Sequence, residues 1–355
     1  MRSDFTICSS YYSPESKALV VLNRELVAEK NPDVSLPWVV ADNTPPDYKG
    51  EKLQNGVFTI LPGARELEPE HIFGHHKGSA PSCEHGTVLN SFHTYVKTRF
   101  ALILDNDFFI TQPHWIERVL RHMDEHNITF FGSPFHPRYY HKLRYFPCPQ
   151  LFFIDTEKVP MRTLDFMPEC DFGRDAKGAL GTGGKSRKHA ASFSSLLRKF
   201  GRAVLGAPDK YNYHYNPLSI RERGMIEGSK DTVTHILDAY RNHPLISSEC
   251  LQPTFKPWQD GGPGGLLHTA NKAFEFFLPD HLCFVPKRKG YFTTRSFKDR
   301  GYYDVQGIDR WWEELVWQNE PFGFHLRQHR SVASRRLDAD ITFVRAILNS
   351  FSAKV

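Results

Sequence analysis

The sequence predicts an α/β fold: a mostly parallel sheet flanked by helices. Strand-type and helix-type segments alternate over the first 155 residues, the pattern of a sheet with helices on its faces. The chain also opens on a β-α-β unit, which implies a parallel strand pair. Ligands of such open sheets sit beyond the carboxyl ends of the strands. The loops after Ile7, Val40 and Leu104 are therefore expected to line a site.

The elements follow in order. Asp4 to Tyr11 is a short apolar strand candidate. Ser13-Pro14-Glu15 then offers an N-cap with proline at the first helical position. Ala18, Leu19, Leu22, Leu26 and Val27 keep helical spacing until Asn31-Pro32 stops it. Pro37 to Asp42 reads as a second strand, and the run Val57 to Leu61, closed by Pro62-Gly63, as a third. The helical pattern Val88, Leu89, Phe92, Val96 leads into a strand from Phe100 to Leu104. A helix from about Pro113 to Glu125 carries Trp115, Val119 and Leu120, and strands are expected at Ile128 to Gly132 and Gln150 to Ile154. Helical patterning returns at Thr232 to Tyr240, a mixed aromatic region runs to about His329, and an amphipathic helix from Leu337 to Phe351 ends the pattern.

Bulk properties exclude several classes. A chain of 355 residues buries a core without covalent staples. Its six cysteines show no CxxC pair or metal-ligand spacing, which argues against a disulfide framework or zinc knuckle and suits a reducing compartment. The first residues run directly into a strand without an apolar leader, and no stretch approaches a membrane span. A cytoplasmic location is expected. A formal charge of +5 is too mild for nucleic-acid binding, which shows a concentrated basic stripe. Trp258 and Trp311 sit beside polar residues, a setting that suits either sugar-ring stacking or ordinary core packing.

The region from about 175 to 228 is expected to be a basic insertion rich in Gly, Ser, Lys and Arg. Ala179 to Ser186 nearly spells a P-loop. Its first glycine is an alanine, and the preceding Arg174 to Lys177 is polar where a P-loop needs a buried strand. Phe193, Leu196, Leu197, Phe200 and Val204 share one helical face opposite Arg198, Lys199 and Arg202. A basic amphipathic helix of this kind, over 185–205, lies on an anionic membrane surface or packs on its own domain.

The most specific feature is Asp105-Asn106-Asp107, closing an apolar strand. Two carboxylates one residue apart on a turn can reach one hard cation, and oxygen ligands suit Mn²⁺ or Mg²⁺. Such a cation bridges the phosphates of a nucleotide diphosphate. An Asp-rich turn that satisfies only its own backbone is the alternative.

In this order, Phe5 to Tyr12, Val39 to Asn43, Glu84 to Asn90 and Asp105-Asn106-Asp107 resemble GT-A glycosyltransferases, especially the bacterial family 2 type, over residues 4 to about 155. The resemblance implies a donor-binding half at 1–155 and an acceptor-binding half at 156–355. It implies a transfer from a nucleotide diphosphate-sugar to a saccharide or lipid-linked acceptor, in cell-surface polysaccharide synthesis. Ser9 and Tyr11 would border the nucleotide, Asp42 the base or ribose, and His85 and Asn90 the donor. Read from the residues, His85-Gly86 either brings backbone to a phosphate or caps a helix. A late histidine as third metal ligand is implied as well. His325 is the candidate, His329 the reserve, and Arg327 would meet the diphosphate. A solvated basic turn is the other reading of that cluster.

An inverting transfer needs a carboxylate base. Asp171, in Glu169-Cys170-Asp171, is the expected one, with Asp175, Glu249, Asp299 and Asp304 competing. A metal-dependent phosphoester hydrolase and a non-catalytic carbohydrate-binding protein on the same scaffold are the rival readings.

Overall fold

The computed structural model describes residues 4–45, 47–48, 50–54, 56–67, 81–136, 146–168, 232–240, 243–255, 292–301, 312–326 and most of 341–349. The elements are β1 (Phe5–Tyr11), α1 (Pro14–Lys30), β2 (Trp38–Asp42), β3 (Thr59–Pro62), α2 (Ala64–Leu67), α3 (Pro81–Ser91), β4 (Phe100–Leu104), β5 (Phe108–Ile110), α4 (Trp115–Glu125), β6 (Phe130–Gly132), β7 (Leu151–Asp155), α5 (Thr234–Tyr240), β8 (Ser248–Cys250), β9 (Gln252–Pro253), β10 (Trp312–Trp317) and β11 (Glu320–Leu326). No helix among the described residues is long and apolar enough to cross a membrane.

The fold is α/β, with a seven-stranded sheet in the order β3-β2-β1-β4-β7-β6-β8. Its β1–β2, β1–β4, β2–β3 and β6–β8 pairs are parallel. The expected β-α-β start forms as read. Ser13 caps α1 in a reciprocal box with Ser16, whose backbone N–H donates to Ser13 Oγ while Ser16 Oγ accepts from the Ser13 N–H at 2.9 Å.

The strand expected over 150–154 also forms, but it runs antiparallel to both β4 and β6. The reason lies at its start: Cys148 N–H donates to Ser133 O and Ser133 N–H to Leu151 O. The chain thus re-enters the sheet at the end where β6 leaves it, and the next strand must run back.

Both sheet faces are covered, which is why the strands read as continuous apolar runs instead of alternating ones. Phe5, Ile7, Val40, Leu102 and Phe153 pack with Trp115 and Val119 of α4 on one face. Cys8, Val39, Ala101, Ile103 and Phe152 pack with Val88 and Leu89 of α3 on the other. Burying each large side chain contributes ~1.5–3 kcal/mol.

A second, four-stranded sheet, β5-β11-β10-β9, was not legible from the periodicity. It lies across α1: Leu19, Leu22 and Leu26 pack on Phe109, Val316 and Phe324, together with Val344 and Leu348 of the helical stretch near the C-terminal end. This sheet carries residues from the last part of the chain to the end of β4.

Candidate metal centre

The acidic turn is built by the main sheet. β4 is wholly buried up to Leu104, and the chain then turns, with Phe108 N–H donating to Asp105 O at 3.1 Å and Asp105 N–H to Gln150 O at 3.1 Å. The middle residue faces inward: Asn106 Nδ2 donates to Ser10 O, and Asn106 O accepts from Asn23 Nδ2 of α1, each at 2.8 Å. With Asn106 fixed, Asp105 and Asp107 flank it, half-buried.

The second sheet supplies the third group. β5 pairs with β11 so that Phe108 sits opposite His325, and β11 pairs with β10 so that His325 sits opposite Glu313. Two sequence features permit this. The β10–β11 loop is the pair Gln318-Asn319, both at positive φ, the signature of the type I′ hairpin. Gly323 lies where a Cβ would run into the Phe109 carbonyl, so its lack of a side chain lets β11 close on β5. Leu326 N–H completes the junction by donating to Asp107 O at 2.8 Å.

His325 is buried, with Nε2 3.1 Å from Asp107 Oδ1 and Nδ1 2.8 Å from Glu313 Oε2, and its ring lies 6.1 Å from that of Phe108. Burial works against its charged form, but the Asp107 and Glu313 carboxylates outweigh it and the imidazole is pushed up to about 10. Ligand atoms of Asp105, Asp107 and His325 all lie within 4.8 Å of one another. Two carboxylate oxygens and one imidazole nitrogen fit a divalent cation such as Mn²⁺ or Mg²⁺. Proton and cation compete for the same Nε2.

On the far side of the turn, His85 Nε2 of α3 lies 3.5 Å from Asp105 Oδ1. The adjacent Gly86 has a packing reason of its own: a Cβ there would sit 2.7 Å from the Phe166 carbonyl oxygen. Asn90 holds the same segment, donating to Asp165 Oδ1 at 3.2 Å and accepting from Phe166 N–H at 2.8 Å.

Asp42 ends β2 and is 9% exposed. Its carboxylate accepts from Thr44 N–H at 3.0 Å and from the Thr44 hydroxyl, and pairs with Lys52 Nζ at 2.9 Å. Burial raises its pKa, but the hydrogen bonds from Thr44 and Lys52 prevail and hold it below the ordinary carboxylate value. Tyr11, fully buried, accepts from Leu53 N–H at 3.4 Å, and burial pushes its phenol above the usual value. Ser9 is buried in β1 opposite Val40.

The structure therefore brings Asp105, Asp107, His325 and His85 together and places Asp42 and Tyr11 at neighbouring strand ends. Asp171, Arg327, His329, Trp258, Trp311 and the 175–228 region lie outside the described residues. Of the carboxylates that compete with Asp171, Glu249 pairs with His122 at 3.1 Å and Asp299 accepts from Ser296 N–H at 2.8 Å; Asp175 and Asp304 lie outside the described residues. Sequence reasoning passed over Asn23, Lys52 and Glu313. Only the last carried a signal: Glu313-Glu314 interrupts an otherwise apolar strand-like run, Trp311 to Trp317.

No protein-family model and no curated protein matches the chain. Among solved structures it is similar to the mannosyltransferase PcManGT from Pyrobaculum calidifontis in complex with GDP-Man and Mn²⁺, at 13% identity, over 47% of this chain and 48% of that one, with a TM-score of 0.30. It is similar to the galactosyltransferase LgtC in complex with donor and acceptor sugar analogs, at 14% identity, over 45% and 60%, with a TM-score of 0.32. Mouse xyloside xylosyltransferase 1 in its apo form matches at 10% identity, over 74% and 92%, with a TM-score of 0.36. The chain spans about half the length of the mannosyltransferase.

Proposed function

We propose that the chain is a metal-dependent glycosyltransferase that moves a sugar from a nucleotide diphosphate-sugar to a saccharide or lipid-linked acceptor. The observation that carries this reading is the convergence of Asp105, Asp107 and His325 within 4.8 Å, at the carboxyl end of a mostly parallel sheet in which only β1 separates β4 from β2, the strand that the buried Asp42 ends. That edge is where open α/β sheets bind nucleotides.

Asp105, Asp107 and His325 would hold the cation, Mn²⁺ or Mg²⁺. When bound, a divalent cation neutralises the diphosphate and stabilises the departing nucleotide. The residues around it do the rest. Asn106, tied to β1 and α1, fixes the spacing of the two aspartates. Asp42, held ionised by Thr44 and Lys52, would accept from a ribose hydroxyl or the base, and Ser9 and Tyr11 would border the nucleotide. His85 and Asn90, on α3, border the donor, Asn90 through the Asp165–Phe166 segment that it anchors. Arg327 follows β11 in sequence and would meet the diphosphate. Asp171 is the carboxylate assigned to deprotonate the acceptor hydroxyl. The division into a donor half at 1–155 and an acceptor half at 156–355 belongs to the same reading. So do the contact of 185–205 with the inner face of the cell membrane and a role in cell-surface polysaccharide synthesis.

The test is a thermal-shift screen of the purified chain against UDP, GDP, CDP and TDP, with and without Mn²⁺, repeated on Asp105→Ala and Asp107→Ala. One nucleotide is expected to stabilise only with metal, and to lose that effect in both variants. Silence from the folded wild-type chain with every nucleotide would overturn the reading. Stabilisation without sugar transfer to any acceptor would leave the scaffold reading. Release of phosphate from a simple phosphoester would favour the hydrolase.

A further inference from the structure

Glu313 is the most deeply buried carboxylate beside the site, with 0% of its surface exposed. It is not one of the three converging groups. An ionised carboxylate removed from water costs several kcal/mol unless it is paired, so its place calls for an explanation. The strand register gives one. Glu313 of β10 and His325 of β11 are directly opposite partners, and the Glu313 carboxylate meets the ring at Nδ1, 2.8 Å away, while Nε2 faces Asp107. The carboxylate therefore addresses the nitrogen that a cation at the Asp105–Asp107 turn cannot use.

An imidazole has two ring nitrogens, and the hydrogen bond made by one decides what the other offers. With a carboxylate against Nδ1, a proton is held there, so the nitrogen that gives up its proton to an arriving cation is Nε2. Phe108, opposite His325 on the neighbouring strand, has its ring centroid 6.1 Å from the imidazole. The placement of all three residues is set by backbone pairing across β5, β11 and β10.

We infer that Glu313 is a positioning residue, which fixes the tautomer and orientation of His325 so that Nε2 is the metal-binding atom. The inference rests on the metal-centre reading above and extends it by one residue that contacts neither cation nor substrate. Partners of this kind alter metal affinity by about 10–100-fold.

The experiment measures Mn²⁺ binding by loss of the free-ion electron paramagnetic resonance signal, for wild type, Glu313→Leu and Glu313→Gln, with unfolding curves recorded without metal. Glu313→Leu is expected to weaken Mn²⁺ about 10–100-fold. Glu313→Gln keeps an acceptor at Nδ1 and should recover most of that loss. A purely structural carboxylate would lower stability in both variants yet leave the affinity of the folded protein unmoved, and that outcome overturns the inference. Should Glu313→Leu not fold, ¹⁵N spectra of wild type loaded with Cd²⁺, a diamagnetic substitute for Mn²⁺, decide. They are expected to show His325 protonated at Nδ1 and metal-bound at Nε2, with the peak assigned through its absence in His325→Gln. A proton on Nε2 in the loaded protein overturns the inference. If wild type binds neither ion, the metal-centre reading fails and this one with it. If wild type binds and Glu313→Leu binds equally well, only the role of Glu313 falls.

Discussion

The amide of Asn23, inside α1, donates a 2.8 Å hydrogen bond to the main-chain carbonyl of Asn106, at the centre of the acidic turn. Asn23 is 2% exposed, so no bulk water stands ready to replace it. The first helix of the chain thereby holds the turn from behind, while the Asn106 side chain ties the same turn to Ser10 at the end of β1.

Removing that support has a predictable effect. Asn23→Ala leaves the half-buried Asn106 carbonyl without this donor, which costs ~1 kcal/mol of stability. The aspartates on either side lose a constraint on their spacing, so Mn²⁺ affinity should fall as well. Urea unfolding and Mn²⁺ titration of the variant check the two effects separately. A stable variant with wild-type Mn²⁺ affinity would show that the turn holds its shape without α1.

Asp42 gives a pH prediction. Its folded-state pKa is depressed by Thr44 and Lys52 against the opposing effect of burial. A depressed carboxyl stabilises the fold above its unfolded value, about 3.9, and that stability is lost as pH falls through the folded value. Asp42→Asn should therefore be less stable than wild type at pH 7, with the gap narrowing once the pH drops below about 4. Paired urea titrations at several pH values measure it. A gap that stays constant from neutral to acid pH would mean that the charge of Asp42 contributes nothing.

How much of this could be read from the sequence follows from how local each feature is. The capped α1, the β1–α1–β2 unit and the Asp105–Asp107 turn are set by neighbours in sequence, and each was legible. The direction of β7 depends on the contact of Ser133 with Cys148, and the second sheet on pairings such as Phe108 with His325. No periodicity encodes these. His325 stands out through the resemblance alone, and although Glu313-Glu314 interrupts an apolar run, no local pattern pairs Glu313 with His325. Lys52 sits in a polar stretch with nothing to mark it as the partner of Asp42.

Gly86 separates two readings that the sequence left open. Gly86→Ala would place a Cβ 2.7 Å from the Phe166 carbonyl oxygen and 3.1 Å from Met167 Cα. Both obstacles are backbone, which cannot swing aside as a flexible side chain would, so the cost is expected to be ~1–3 kcal/mol. If packing is the whole role of the glycine, folded Gly86→Ala keeps the wild-type affinity for nucleotide and metal. Lost nucleotide affinity at unchanged stability would instead assign it to phosphate approach. Unfolding curves and a nucleotide titration on one sample distinguish the two.

The ion pair of His325 and Glu313 makes the stability of the metal-free chain asymmetric to mutation. His325→Ala removes the cation that Glu313 faces and leaves a fully buried carboxylate without its cross-strand partner. Breaking a buried pair from one side costs ~3–5 kcal/mol. Adding Glu313→Gln to His325→Ala removes the stranded charge, so the double variant should recover part of the loss despite carrying one more substitution. Without metal, its urea midpoint is expected to lie between those of wild type and His325→Ala. A double variant less stable than His325→Ala would show that Glu313 is supported by groups other than His325, and the cross-strand pair would then not be what holds the carboxylate in the sheet.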